Sequence, residues 1–362
     1  SALAARLAPA GQTDTFPHIL ENLWWRLDAV HDEESVYYST LIGLLDALRH
    51  GCTTVIDHHA SMSYVRGSLA IVTRAFRETG VRGVLAFETS ERTGAERVTQ
   101  HIEENVSFWD ETREDPHLAA LFGLHANLTL SRDSLSRIAA ARPPEMAVHV
   151  HAGEAPEDLK FCRDDGFAGP IYRLAHFGLI DGTSFVIHGI HLDEEDRRII
   201  ARELPVVVSN PQSNANNGVG IFDPRTAERY LLGTDGMTND VIATARYHYL
   251  SLRARGLSTA GLADIVFHYA NEVRKRFFPT AGSLAVGEAA DIVALDYVPV
   301  TPVTRENALM HLVFGAKTGA AYMTVTDGRL RYLDGSYPEI DLDSVRAEAK
   351  RVASALHARF HG

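Results

Sequence analysis

The chain has 362 residues, 45% of them hydrophobic, enough to bury one large core with a smaller appendage. Its 47 acidic residues against 35 basic ones give a net charge of −12, which disfavours a nucleic-acid backbone or an anionic membrane as the main partner and accommodates a small neutral or cationic substrate more easily. The two cysteines, Cys52 and Cys162, form neither a disulfide framework nor a CxxC pair. No apolar run approaches the ~18 residues of a membrane span, and residues 1–11 lack the apolar core of a signal peptide. A cytoplasmic location is the expectation.

In chain order, a helix is expected over 16–28, carrying Trp24-Trp25, and another over 35–49. A βα rhythm follows: strands at 53–57, 81–87, 120–125, 146–151, 184–188, 206–209 and 230–235, separated by helices at 69–79, 95–109, 131–141, 169–177 and 193–202. The strands lack strict polar alternation, as expected of a parallel sheet covered by helices on both faces. This is the α/β pattern of a (β/α)8 TIM-type barrel, which needs eight strands; the first is therefore expected ahead of Ser1. Beyond Asp235 come two more helices, 241–255 and 259–277. Then 287–296 reads as a turn and strand, 321–332 as a hairpin broken at Asp327-Gly328, and 343–360 as a closing helix. The expected organisation is a barrel over 1–283, a small, incomplete β-sandwich portion over 284–335 and a C-terminal helix within 336–362. The apolar stretch 23–27 leaves a homodimer open.

Chemistry-bearing residues gather where the strands end. His149-Val-His151-Ala-Gly-Glu154 closes one apolar run, His188-Gly-Ile-His191 the next, and Gly233-Thr-Asp235-Gly236 the last. Metal-assisted hydrolysis needs neutral imidazoles and a carboxylate to hold a divalent ion, and a separate group to move protons. His151 and Asp235 suit the first role and Glu154, one turn beyond His151, the second. His188 can polarise the attacking water. Each residue alone has a plainer reading: a core histidine, a carboxylate at a helix N-terminus or an Asp-Gly turn. Their order carries the signal. His58, His59, Glu88 and His125 end earlier strands, and Asn210 and Asn214 follow the 206–209 strand; all six are candidate substrate contacts.

These residues resemble the amidohydrolase superfamily, in its cytosine-deaminase-like and chlorohydrolase-like branch, where His-x-x-Glu, a histidine on the next strand and an Asp on the last strand recur. Gly51-Cys-Thr-Thr-Val-Ile-Asp57-His58-His59, Phe87-Glu88-Thr-Ser-Glu-Arg92, Asn210-Pro-Gln-Ser-Asn214 and Gly233-Thr-Asp235-Gly236 look most like the SsnA-type aminohydrolases of that branch. Gly287-Glu-Ala-Ala-Asp291 resembles the family's return into its small β-sandwich. The resemblance implies one divalent ion, zinc or iron, with His151 and Asp235 as ligands and two further histidine ligands, a His-x-His pair, ahead of Ser1. It implies Glu154 as proton shuttle and His188 turned towards the water. The implied reaction is hydrolysis of a non-peptide carbon–nitrogen bond at an sp2 carbon, typically deamination of a small N-heterocycle or amidine. Carbon–chlorine or amide hydrolysis, and a catalytically silent barrel that has lost its metal, are the alternatives.

Overall fold

A computed structural model describes residues 2–4 and 7–362. The apolar runs form parallel strands β1 (Thr54–His59), β2 (Arg82–Phe87), β3 (Leu118–Ala120), β4 (Phe122–Leu124), β5 (Val148–Ala152), β6 (Phe185–His188), β7 (Val206–Ser209) and β8 (Tyr230–Leu232). They pair in chain order as β1-β2-β3 and β4-β5-β6-β7-β8. The run expected as one strand over 120–125 is thus two short ones parted at Leu121. The Leu121 N–H donates back to the Leu85 carbonyl at 2.9 Å, and Thr89 bridges to Leu124, so the two sheets follow one another without a gap. β1 pairs with β2 and β8 with β7, and neither has a second neighbour among the described residues.

Alternation along each strand sorts the core into two layers. Val84, Ala86, Leu121, Ala147, Phe185, Ile187, Val206 and Leu231 meet in one inner cluster. Leu85, Phe87, Val148, Val150, Val186 and Val207 point outward into a larger cluster shared with the surrounding helices. One interior supplied by β2 through β8 is the arrangement of a TIM-type barrel, whose strand C-termini carry the chemistry.

The covering helices start where the sequence signals them. Asp32 caps Glu33–Arg49 and Asp193 caps Glu194–Glu203, each through a reciprocal capping box that satisfies first-turn N–H groups. Four stretches differ from expectation. The 16–28 and 259–277 helices each contain a π-helical turn, at Leu20–Trp24 and Ile265–Tyr269. Pro156–Asp164 is a helix that periodicity does not announce, with Pro156 setting its first turn. After β7 the chain forms the short helix Pro211–Asn216, with Pro211 in its first turn.

In the tail, β9 (Ile292–Ala294), β10 (Met323–Thr326) and β11 (Arg329–Leu333) form an antiparallel sheet in the order β11-β10-β9. Asp327 and Gly328 both take positive φ, 50° and 75°, as a two-residue type I′ hairpin requires. The last helix, Leu342–His361, packs Val352, Leu356 and Phe360 onto Leu3, Leu7 and Leu27. Among the described residues no helix is long and apolar enough to cross a membrane.

The core also contains histidines that burial keeps neutral. His101 and His248 are 0% exposed, and loss of hydration pushes each down to about 4. Unfolding returns them to about 6.5. The unfolded chain therefore takes up protons below pH 6.5 while the folded one does not, and stability falls as pH drops from 6.5 towards 4. At pH 5 the loss is on the order of 2 kcal/mol per group. Urea unfolding at pH 7 and pH 5 is the measurement: H248L should shrink the difference between the two midpoints, and an unchanged difference would refute the account.

Candidate active site

Glu154, His188 and Asp235 come from the ends of β5, β6 and β8, and each offers a ligand atom within 4.8 Å of the other two. Two of them hold backbone conformations that L-residues rarely adopt. His188 has φ 75° and Asp235 φ 50°, so both side chains leave their strands at an angle that straight continuation would not give. Glu154 reaches the rim because Gly153, at φ 63°, turns the chain out of β5 with the His191 carbonyl close behind it; a Cβ there would lie 2.8 Å from that oxygen. Gly233, two residues ahead of Asp235, is also forced: a Cβ there would sit 2.1 Å from Asn210 Oδ1.

The hydrogen bonds fix which atoms face the centre. Asn214 Oδ1 lies 2.8 Å from His188 Nδ1, which leaves Nε2 directed at Glu154 Oε2, 3.4 Å away. His151 Nδ1 lies 2.9 Å from the His125 carbonyl, so Nδ1 carries the proton and Nε2 keeps its lone pair. Ser213 Oγ donates to Asp235 Oδ2 at 2.6 Å and the Gly236 N–H to Oδ1 at 2.7 Å. Asn217 Nδ2 donates to Glu154 Oε1 at 3.2 Å. The ring of His151 lies 5.7 Å from that of His188, centre to centre. Neutral imidazoles with free Nε2 atoms beside two carboxylates are the donor set that a divalent cation requires, so the residues present fit one.

The electrostatics separate the two carboxylates. Burial pushes Glu154 up to about 8, and the neighbouring Asp235 charge adds to the rise. For Asp235 burial also pushes upward, but His188, the Ser213 hydroxyl and His151 outweigh it and hold the group below its ordinary value. Burial lowers His188.

The remaining sequence candidates divide between two faces. His58 points inward, with Nδ1 2.9 Å from His149 Nδ1 and its ring 4.7 Å from that of His151. Glu88 lies beside it, Oε2 at 3.8 Å from His58 Nε2, and is bonded by Arg92. His125 stands 5.9 Å from the His151 ring. His59, next along β1, falls on the opposite face, against Phe87 and bonded to Ser61 Oγ at 2.8 Å. Asn214 holds His188, and Asn210 is buried under Gly233.

Sequence reasoning passed over several participants. Ser213 and Asn217 lie on or just after the unannounced Pro211–Asn216 helix. Asp158, on the equally unannounced Pro156–Asp164 helix, accepts the Gly153 N–H at 2.8 Å and pins the turn that presents Glu154. Phe16 and Leu20 line the small cavity beside His125, His151 and Glu154. Trp25 and His125 form a T-shaped pair with ring centres 6.2 Å apart, and Arg92 lies over the Trp25 ring while bonding Asp28. The spacing of carboxylates with Asn and Ser around the strand ends was the available signal, but only helix formation shows which of them face inward.

A barrel with this rim defines a hydrolase-type scaffold built to hold a divalent cation. The amidohydrolase family pattern matches residues 10–331, and the chain belongs to that family. It is 26% identical over 365 residues to 5'-deoxyadenosine deaminase of Methanocaldococcus jannaschii, covering 96% of this chain and 85% of the relative. Among solved structures, a zinc-bound adenosine deaminase from Xanthomonas campestris superposes with a TM-score of 0.83 at 21% identity, over 97% of this chain and 82% of the other. The zinc complex of the atrazine chlorohydrolase TrzN from Arthrobacter aurescens superposes at 0.80 with 18% identity, over 97% and 85%. At these identities the two structures establish the fold.

Proposed function

We propose that the protein is a metal-dependent aminohydrolase that releases ammonia from an amino-substituted sp2 carbon of a small N-heterocycle or amidine. The observation that carries this reading is the convergence of Glu154, His188 and Asp235 beside His151 at one strand-end rim. The deaminase names of its relatives agree with it. The resemblance of the motifs at β1, β2 and the β7–β8 rim to SsnA-type aminohydrolases supports this reading.

His151 and Asp235 would hold the ion, which when bound supplies Lewis-acid activation of water. His188, whose Nδ1–H donates to Asn214 Oδ1, directs the Nε2 lone pair into the reaction space, where it can accept from the attacking water. Asp235, kept ionised by its neighbours, can take up the water's proton. Glu154, with its raised value of about 8, is protonated at neutral pH in the unliganded site and can pass that proton to the departing nitrogen. Phe16 and Leu20 give the cavity an apolar wall that limits the access of bulk water from that side. His58, Glu88 and His125 stand where they would contact the substrate ring.

The test is a screen of amino-substituted heterocycles and amidines with zinc- or iron-loaded protein, reading ammonia, chloride and carboxylate release together. Ammonia release that disappears on chelation and returns with metal supports the reading. Chloride or carboxylate release in its place would reassign the leaving group, and none of the three from metal-replete protein would overturn catalysis of this type.

A further inference from the structure

At the opposite end of the strands from Glu154, a cavity of about 290 Å³ lies between the barrel and the β10–β11 hairpin. Its barrel wall is built by residues that precede strands: Gly80 and Val81 ahead of β2, and His117 ahead of β3. Phe76, Val81 and Leu118 give it an apolar floor. Arg77, Arg329 and Arg331 bring three guanidinium groups to the same space, a local concentration of the minority charge in a chain of net charge −12.

Most charges of the lining are already met. Arg77 bonds Asp115 Oδ2 at 2.6 Å. Arg331 is held by Glu339 and by Thr326 Oγ1 at 3.0 Å. Its guanidinium is pressed flat against Gly80, where a Cβ would lie 2.4 Å from Cζ. Asp327, the one carboxylate of the lining, is matched by His117 at 3.3 Å and Arg82 at 3.4 Å. Arg329 alone has no partner among the described residues. The cavity therefore has an unmet cation at its mouth, a second guanidinium fixed in place beside it, and an apolar floor. Its volume is at the lower end of small-molecule sites.

We propose that this cavity is a second binding site, remote from the metal rim, for a small organic anion. The ring or aliphatic body would lie on Phe76, Val81 and Leu118, and a phosphate or carboxylate would take the planar donors of Arg329 and Arg331. The proposal does not depend on which reaction the other end of the barrel performs.

Calorimetric titration of the full chain with phenyl phosphate, benzoate, inorganic phosphate and benzyl alcohol tests it. Phenyl phosphate or benzoate should bind saturably at one per chain, and the stronger of the two identifies the anionic group. Inorganic phosphate and benzyl alcohol, each carrying half of the recognition, should bind more weakly. R329Q, at an exposed side chain without partners, should weaken the preferred probe by roughly tenfold, and E154Q should leave its binding unchanged. The proposal is overturned if neither aryl anion binds, if R329Q binds as tightly as the parent, or if E154Q abolishes binding and so locates the anion at the other end of the barrel.

Discussion

Glu154→Gln should lower kcat by two to four orders of magnitude, the range expected for loss of a positioned proton donor, while the protein keeps its fold and its metal. The amide conserves the shape of the carboxyl and can still accept from Asn217 Nδ2, which now lies 3.2 Å from Oε1. What it lacks is a proton to give. Glu154 suits that task because burial and the Asp235 charge raise it to about 8, so near neutral pH the proton is present and its release is not prohibitively costly. A purely structural Glu154 predicts a different pattern: E154Q would lower the urea midpoint and leave the turnover of the folded fraction unchanged. Steady-state kinetics, metal content and urea unfolding on the same preparation separate the two. Substrates with better leaving groups should recover part of the lost rate, since they need less protonation on departure. If E154Q turns over within tenfold of the parent on a poor leaving group, Glu154 is not the proton donor.

The pieces of this site differ in how far they could be read ahead of the structure. His151, His188 and Asp235 were legible because each closes a β-branched or apolar run, and parallel strands in a barrel bring their C-terminal ends together whatever lies between them. Glu154 followed from its offset to His151. The faces of the rim were less accessible. Asp57, His58 and His59 form one tripeptide, yet only His58 turns inward, and the choice depends on a strand register that a single chain does not declare. Asn214 illustrates a second difficulty. It suggested a substrate contact, but the Pro211–Asn216 helix turns its amide onto His188, giving it a role in orienting that imidazole. Six residues are too few for a helical period to stand out, so nothing in the sequence distinguished that helix from a turn opened by Asn-Pro. Asp158 was hidden for a related reason: its function is a bond to the Gly153 N–H, and backbone partners leave no pattern in side chains. The tail was more legible, because Asp-Gly between two β-rich runs specifies its own turn.

Asp235→Ala should have two separable consequences, one in metal binding and one in the protonation of Glu154. Asp235 is a carboxylate held at φ 50° by its turn, with Ser213 and the Gly236 N–H fixing both oxygens. Removing it takes away the carboxylate of the proposed donor set that its neighbours hold below the ordinary range, and zinc affinity should fall by at least the roughly 10–100-fold that loss of even a supporting outer partner costs. Competition against a chromophoric chelator measures that loss. The second consequence appears without any metal. The negative charge of Asp235 contributes to the rise in Glu154, after burial, so its removal should bring the Glu154 titration down from about 8 towards the ordinary carboxylate range, with burial preventing a full return. The isotope-edited carboxyl infrared band of the metal-free protein follows this directly. Asp235 acts on the Glu154 titration through like-charge repulsion, so the expected direction is downward: a Glu154 titration that stays in place or moves up in D235A would mean that the two carboxylates do not share a field. Such a result would also remove the reason for assigning base and acid to Asp235 and Glu154 respectively.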